Sequence, residues 1–293
     1  MANLELPDGR TLEYVVGGPA DAPPLVMHHG TPNAAVLFEP LVAVAAAHGL
    51  RTVLHSRPGY AGSSEQHGRS VAAVASDVAA VLDDLGADTF VTLGWSGGGP
   101  HALACAALLP GRCLAAASIA GVASYAALGA EGLDFLAGMG AENIEEFSAA
   151  AAGESKLTAY LTEAAAGLAG VQPEQVVAAL GDLLSEVDRK ALTGAFADFL
   201  AASFRAAVST GVAGWRDDDL AFLADWGFGL AGIQAPVSIW QGSDDRMVPF
   251  EHGRWLAGQI PGASVHLKPA EGHLSLLVDN ADAIVAELAA RLP

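Results

Sequence analysis

The stretch Gly94-Trp95-Ser96-Gly97-Gly98 (GWSGG) decides the fold that the sequence predicts. It follows an apolar run at 90–93 that predicts a strand, and it precedes a small, apolar stretch at 100–104 that predicts a helix. Glycines on both sides of Ser96 permit close approach of the backbone, so a tight turn there lifts the hydroxyl above the edge of a sheet. The sequence therefore places one serine at the junction of a strand and a helix.

Strand-like and helix-like patterns alternate on both sides of this junction. Such alternation predicts a parallel sheet flanked by helices, the α/β class. The segment 4–14 carries a Pro-Asp-Gly turn and predicts an N-terminal β-hairpin. The clearest helix is 70–85, with Ser70 as its N-cap and Gly86 as its C-terminal cap. Further strands are predicted at 25–27, 52–54, 90–94, 113–120, 236–240 and 264–267, and further helices near 35–48, 98–109 and 274–291.

Residues 122–231 show helical patterns and almost no strand patterns. We therefore predict an α/β core domain formed by 1–121 and 232–293, with 122–231 inserted as a helical cap, or lid, domain. The aromatic and aliphatic side chains of this insertion indicate a mostly apolar pocket beneath it. More than half of the acidic excess of the chain also lies there. We expect a solvated acidic face, which is also compatible with cationic substrates.

Composition and charge exclude several classes of protein. A formal net charge of −19 opposes binding to nucleic acid or to an anionic membrane surface, because both need clustered Lys and Arg. The apolar runs are shorter than the roughly 20 residues that span a bilayer. The first residues lack the pattern of a secretory signal, so we expect a cytoplasmic protein. Cys105 and Cys113 are expected to be reduced, buried thiols, with no disulfide and no metal cluster.

Ser96 is the predicted nucleophile. A serine hydroxyl is a poor nucleophile near neutral pH, so it needs a base to take its proton and donors to hold an oxyanion. G-x-S-x-G between a strand and a helix is the pattern of a nucleophile elbow. The amide of Gly97, at the start of the helix, is one predicted donor. The amide of Thr31, in the loop after the strand 25–27, is the other.

His273 is the predicted base, because the loop between the last strand and the last helix can bring its imidazole over the edge of the sheet. The carboxylate that orients the imidazole is expected from Asp244 or Asp245, which follow the preceding strand. The chain order serine, aspartate, histidine is the order typical of this arrangement. His101, about one helical turn beyond the serine, either lines the pocket or packs in the core, and we favour packing.

These segments together resemble the α/β-hydrolase superfamily. The resemblance implies a mostly parallel sheet with an N-terminal hairpin and a helical cap insertion, and it covers nearly all of the predicted core. The motifs that carry it are G-x-S-x-G at 94–98, H-G-x-P at 29–32, G-x-x-D-x-x-V-P at 242–249 and the G-H pair at 272–273.

Two positions follow from that resemblance. The resemblance implies that Asp245 is the carboxylate that orients the histidine, and that Asp244 is only a loop residue. Related sequences commonly carry an aspartate before the arginine of the loop after the next strand, whereas this chain has Ser56-Arg57. This difference does not affect the predicted triad of Ser96, Asp245 and His273. We interpret Arg57 as structural, held in an ion pair rather than in contact with substrate.

The predicted reaction is hydrolysis of an ester or related acyl bond of a small, largely apolar molecule through an acyl-enzyme intermediate. Neither a metal nor another cofactor is needed for it. The expected partner is this small-molecule substrate, and a homo-oligomer is left open. We call the stretch 29–32, which holds Thr31, the oxyanion loop. The residues expected to contact substrate lie in this loop and in the elbow, and they are His29, Gly30 and Trp95.

Several alternatives remain open. An exopeptidase similar to proline iminopeptidases would hold the amino group of its substrate with carboxylates of the cap, for which the candidates are Glu142, Glu145 and Glu146. Cofactor-free perhydrolysis and hydrolysis of carbon–carbon bonds use the same triad. Outside the enzymes, the alternative is a ligand-binding protein that keeps the fold and the triad.

Overall fold

The computed structural model describes all 293 residues and is built around one eight-stranded sheet. The strands are β1 (Ala2–Glu5), β2 (Thr11–Gly17), β3 (Pro24–His28), β4 (Arg51–His55), β5 (Phe90–Trp95), β6 (Cys113–Ile119), β7 (Val237–Gly242) and β8 (Ser264–Lys268). Their order in the sheet is β1-β2-β4-β3-β5-β6-β7-β8. The pairs β1/β2 and β2/β4 are antiparallel, and every other pair is parallel.

Twelve α-helices surround the sheet. Those of the core are α1 (Glu39–Ala47), α2 (Val74–Asp84), α3 (Gly99–Leu108), α11 (Phe250–Gln259) and α12 (Ser275–Ala289). Those between β6 and β7 are α4 (Tyr125–Ala130), α5 (Ala141–Ala151), α6 (Glu154–Leu168), α7 (Val176–Leu180), α8 (Glu186–Ala191), α9 (Gly194–Ala207) and α10 (Ala213–Leu223). We call the insertion 122–231, which holds the second set, the cap segment. It contains no strand.

The sheet explains where a site can form. β5 is buried at all six positions, as expected of a strand that lies in the middle of a sheet with both faces covered. It pairs in parallel with β3 on one side and β6 on the other. Because the carboxyl ends of parallel strands meet at one edge, the loops after β3, β5, β7 and β8 open on the same edge of the sheet.

Two buried hydrophobic clusters stabilise the molecule, one on each face of the sheet. One cluster unites α1 and α12 with the sheet, and the other unites α2, α3 and α11 with it. Both clusters extend into the cap segment, through Leu157 and Phe204 in the first and through Phe147 and Phe222 in the second. Burial of apolar surface therefore joins the cap segment to both faces of the core.

The structure confirms the predicted α/β-hydrolase fold class, including the hairpin, in which Leu4 lies opposite Leu12. The predicted helix 70–85 begins as a short 3₁₀ turn before α2. Gly86 follows this helix with a φ of 62°, so it ends the helix as expected. The N-cap expectation is corrected, since the Ser70 side chain makes no capping hydrogen bond. No helix combines the length and apolar character needed to cross a membrane.

Candidate active site

Ser96 lies at a strained turn directly after β5. Its φ is 58°, in the left-handed region that L-residues other than glycine rarely adopt. A Cβ atom at Gly94 would collide with the backbone of Gly98, and a Cβ atom at Gly98 would collide with the carbonyl of His28. The close crossing of β5, its following turn and β3 therefore requires glycine at both positions.

Thr31 and Gly97 are neighbours on the two sides of this turn. A Cβ atom at Gly97 would collide with Oγ1 of Thr31, and one at Gly30 would lie 3.4 Å from Cβ of Ser96. The amide of Thr31 donates no hydrogen bond to another part of the chain. The loop after β3 thus lies directly against the Ser96 turn, with the Thr31 amide free to bind a ligand oxygen.

His273 and Asp245 form a buried pair. Nδ1 of His273 lies 2.8 Å from Oδ2 of Asp245. The other oxygen, Oδ1, accepts hydrogen bonds from the amides of Met247 and Val248, at 2.9 and 2.8 Å. Asp244 is exposed and binds the neighbouring Ser243 hydroxyl instead. Of the two adjacent aspartates, the structure therefore places Asp245 against the imidazole.

The surroundings of His273 favour its protonated form. Burial of the ring lowers the pKa, but the charge of Asp245, its hydrogen bond and the charge of Asp188 together outweigh burial. The pKa of His273 consequently lies above its usual value of 6.5. The imidazole is neutral, and can accept a proton, only when the pH exceeds this raised value.

Ser96 and His273 line the same cavity. No hydrogen bond joins the Ser96 hydroxyl to the His273 ring, although both groups lie in the wall of a cavity of about 230 Å³. Trp95 also contributes to this wall. Its Nε1 donates to the carbonyl of His273 at 3.1 Å and so holds the loop 269–274, which we call the histidine loop. The two rings pack with their centroids 5.3 Å apart.

The cavity has an apolar part and a polar part. Thr31 and Pro32 lie in its wall near Ser96. The apolar part includes residues of α6, α7 and α9, and they are Ala164, Leu168, Ala179, Leu180, Leu200 and Phe204. The polar part includes Glu142, Asn143, Glu146 and Tyr160. A larger open cleft beside Asp245, of about 710 Å³, includes neither Ser96 nor His273.

Two of the residues expected to contact substrate lie outside the cavity wall. The ring of His29 lies 2.8 Å from the carbonyl of Gly30 through Nδ1, and its Nε2 accepts from the amide of Arg57. His29 therefore braces the loop after β3 through these hydrogen bonds, whereas Trp95 lines the cavity. This corrects the expectation for His29, whereas the expectation for Gly30, which lies close to Ser96, stays a prediction. The side chain of His29 is occupied by backbone partners and is not free to contact a substrate.

Glu146 lines the cavity and lies beside a second, fully buried carboxyl group. Its Oε1 accepts a hydrogen bond from Nε1 of Trp215 at 2.7 Å. The fully buried carboxyl of Asp219 lies against it. Burial and the charge of Glu146 raise the pKa of Asp219 well above its usual value. Burial also raises the pKa of Glu146. Glu142 also faces the cavity, whereas Glu145 is exposed outside it.

Asp218 of α10 braces the oxyanion loop, a role that sequence reasoning missed. This carboxylate is fully buried and accepts hydrogen bonds from Arg57, Arg69 and Tyr60. It also accepts from Oγ1 of Thr31 at 2.7 Å. Arg57 in turn donates to the carbonyls of residues 29 and 30. The ion pair expected for Arg57 is thus formed, and its partner comes from the cap segment.

The acidic run 217–219 therefore does not belong to a solvated face. Asp217, Asp218 and Asp219 are all buried, and so is Asp188 of α8. This corrects the expectation from composition for these residues. The signal in the sequence was a run of three aspartates between Trp215 and Phe222, in a helix whose other residues are partly apolar.

His101 packs beneath the turn and does not line the cavity. Burial, followed by the nearby charge of Arg57, lowers the pKa of its ring well below 6.5, so the ring is neutral. Nδ1 lies 2.8 Å from the carbonyl of Gly97 and donates to it. Cys105 and Cys113 are free and buried. No group of three or more His, Cys, Asp or Glu side chains is arranged to hold a metal ion.

The comparison with protein families agrees with this geometry. Residues 23–280 match the model of the alpha/beta hydrolase fold family. A solved alpha/beta hydrolase fold protein from Nakamurella multipartita is 25% identical with a TM-score of 0.64, covering 99% of this chain and 98% of that one. The chain belongs to the α/β-hydrolase family.

Individual relatives share only parts of the sequence. A non-heme chloroperoxidase from Streptomyces lividans is 33% identical over 42% of this chain and 45% of its own length. A bifunctional esterase/perhydrolase from Acinetobacter calcoaceticus is 34% identical over 34% of this chain and 36% of its own. The matches thus span less than half the length of these curated relatives. The solved esterase RhEst1 from Rhodococcus sp. ECU1013 shares the fold, at 22% identity and a TM-score of 0.66 over 98% of each chain.

Proposed function

We propose that this chain is a serine hydrolase that cleaves an ester bond of a small, largely apolar acyl substrate. The observation that carries the proposal is the buried His273–Asp245 pair, whose imidazole residue lines the same cavity as the strained Ser96. The relative from Acinetobacter calcoaceticus, whose name includes esterase activity, supports the same class of reaction. The cavity volume of about 230 Å³ favours a small acyl or alcohol group.

The mechanism uses each group according to its position. His273 takes the proton of Ser96 through Nε2 as the serine oxygen attacks the ester carbonyl. Asp245 holds Nδ1–H and stabilises the imidazolium that forms. The amides of Thr31 and Gly97 donate to the oxyanion. His273 then protonates the leaving alcohol. In the second half of the reaction His273 takes a proton from water as the water attacks the acyl-enzyme, and it returns the proton to Ser96 as the acid leaves.

The contact between Ser96 and His273 forms in this mechanism when substrate is bound. Hydrogen bonds between catalytic groups are often long or absent in free enzymes and shorten in the substrate complex. Trp95 keeps the histidine loop in place through its hydrogen bond to the carbonyl of His273, so we assign the adjustment to the serine side chain.

Ser96→Ala tests the proposed nucleophile. We expect kcat/KM for p-nitrophenyl acetate to fall by at least about 1,000-fold, because the attacking atom is lost while the binding groups remain. Wild-type enzyme should also be labelled by a fluorophosphonate at residue 96. Ser148→Ala, at an exposed serine of the cap segment, is the matched control and should retain activity. Full turnover by Ser96→Ala would disprove the mechanism.

A second candidate is favoured by the carboxylates of the cavity. Glu142 and Glu146 face the space beside Ser96, so a protonated amino group there would be attracted to them. An exopeptidase that removes an N-terminal residue needs such a group to bind the amine of its substrate. The apolar part of the cavity, formed by residues of α6, α7 and α9, favours the ester hydrolase as the first candidate.

Glu146→Gln separates the two candidates. For the exopeptidase, we expect kcat/KM on prolyl p-nitroanilide to fall by about 30-fold, because a buried charge loses its partner at a cost of ~2 kcal/mol. For the esterase, p-nitrophenyl acetate turnover should change much less. Glu145→Gln removes the same charge one residue away, outside the cavity, and is the control. Absence of prolyl p-nitroanilide cleavage by the wild-type enzyme would reject the exopeptidase.

A further inference from the structure

A fully buried aspartate of the cap segment binds the loop that carries the predicted base. Asp188 of α8 is 0% exposed. Its Oδ2 accepts a hydrogen bond from the amide of His273 at 3.0 Å. Its Oδ1 accepts from the amides of Leu274 and Ser275, at 2.7 and 3.0 Å. The hydroxyl of Ser185 donates to Oδ2 at 2.8 Å.

This arrangement satisfies the start of helix α12. The first amides of a helix have no partner inside the helix, and a negative charge near them is stabilised by the helix dipole. Here three consecutive amides, those of residues 273–275, are bound by one carboxylate. Such hydrogen bonds to a charged acceptor are stronger than neutral ones. The cap segment therefore binds the amides of residues 273–275, while Trp95 of the core binds the carbonyl of His273.

The neighbouring glycine makes room for this contact. A Cβ atom at Gly272 would collide with both oxygens of the Asp188 carboxylate. The structure thus gives a steric reason for glycine at position 272, which the sequence alone did not supply. It allows a carboxylate from another element to approach the backbone directly beside His273.

We infer that Asp188 is a positioning residue, which holds the backbone of residues 273–275 so that the imidazole of His273 is directed at Ser96. The inference rests on the proposed function, in which His273 is the base. It gives helix α8 of the cap segment a role in the reaction, although none of the sequence motifs lies in that helix. Asp188 does not line the cavity and acts through the histidine loop.

Asp188 also changes the charge that the imidazole experiences. The negative groups that face His273 are Asp245, from the loop after β7, and Asp188, from α8, and both raise its pKa. Glu142 and Glu146 lie in the wall of the same cavity. Removing the charge of Asp188 should therefore lower the pKa of His273. Since the base works only when neutral, the acidic limb of the pH–rate profile should move to lower pH.

Asp188→Asn tests the inference with little change in shape. An amide offers one oxygen, so its NH₂ group would face either the amide of His273 or those of Leu274 and Ser275. We expect kcat for p-nitrophenyl acetate to fall by about 10- to 100-fold, the cost of a small misplacement of a catalytic group, with KM within about two-fold of wild type. The acidic limb of kcat/KM should shift to lower pH.

Asp198→Asn removes the same charge from an exposed site on α9 and should leave the rate and the pH profile unchanged. A second measurement does not need activity: NMR titration of the His273 ring in Ser96→Ala, with and without Asp188→Asn, should show a lower pKa when Asp188 is replaced. If Ser96→Ala remains active, the proposed function fails. If Ser96→Ala is inactive but Asp188→Asn keeps the wild-type rate, profile and ring titration, only the role of Asp188 is disproved.

Discussion

At the scale of single residues, Ser96 combines a chemical role with backbone strain. Its φ of 58° costs about 1–2 kcal/mol for a residue with a Cβ atom. Glycine adopts this conformation without that cost but loses about 0.5–1 kcal/mol through the greater freedom of the unfolded chain. Serine at this position therefore lowers the stability of the fold, and the strained turn keeps its hydroxyl at the edge of the sheet.

Ser96→Gly should be more stable than Ser96→Ala, although both lack the hydroxyl. We expect the free energy of unfolding to be higher by about 0.5–1 kcal/mol in the glycine variant, because only glycine relieves the left-handed strain. Unfolding in guanidinium chloride, followed by far-UV circular dichroism, measures the difference. Equal stability of the two variants would show that the turn is not strained.

Asp244 and Asp245 show the limit of sequence reasoning at this scale. The residues alone left both as candidates, and the resemblance to a family selected Asp245. In the structure the two amides of residues 247 and 248 bind Asp245 and turn it towards His273. A one-residue difference in a loop depends on local hydrogen bonds, which spacing in the sequence does not reveal.

At the scale of secondary-structure elements, α10 contacts the oxyanion loop through Asp218. This carboxylate is the counter-ion of two buried arginines, Arg57 and Arg69. Burial opposes ionisation, but the two arginines outweigh it and hold the pKa of Asp218 well below its usual value. The carboxylate stays charged near neutral pH, and α10 is bound to the loop by charged hydrogen bonds.

Asp218→Asn should destabilise the protein strongly. Removing one partner of a buried ion pair leaves uncompensated charge, at a cost of about 3–5 kcal/mol. The free energy of unfolding in urea measures this loss, and Asp198→Asn is the control for removal of an exposed cap carboxylate. We also expect kcat to fall, because the NH₂ group of asparagine would face donors that hold the oxyanion loop and cannot accept from them. A loss of stability below about 1 kcal/mol would contradict the importance of the pair.

At the scale of the whole molecule, the cap segment and the core share their hydrophobic clusters. Leu157 and Phe204 pack in the same cluster as α1 and α12, and Phe222 packs in the same cluster as α3. Asp188 and Asp218 add buried polar contacts to the loops of the core. The division into a core domain, 1–121 and 232–293, and a cap domain, 122–231, remains a prediction.

The sequence by itself determined the α/β-hydrolase fold class, the positions of the main strands and helices, and the candidates Ser96 and His273. These depend on local signals: apolar periodicity, glycines at tight turns and polar residues directly after strands. Such signals act between residues that are close in the chain, so they are visible without coordinates.

Only the tertiary structure decided how distant parts of the chain complete the site. It brought Asp188 to the amides of residues 273–275 and Asp218 to Arg57 and Thr31, across separations of about 85 to 187 residues. It also buried aspartates that composition had assigned to a solvated face. The physical reason is that a buried carboxylate is stable only when amides or arginines surround it, and packing of the cap helices on the sheet supplies those partners.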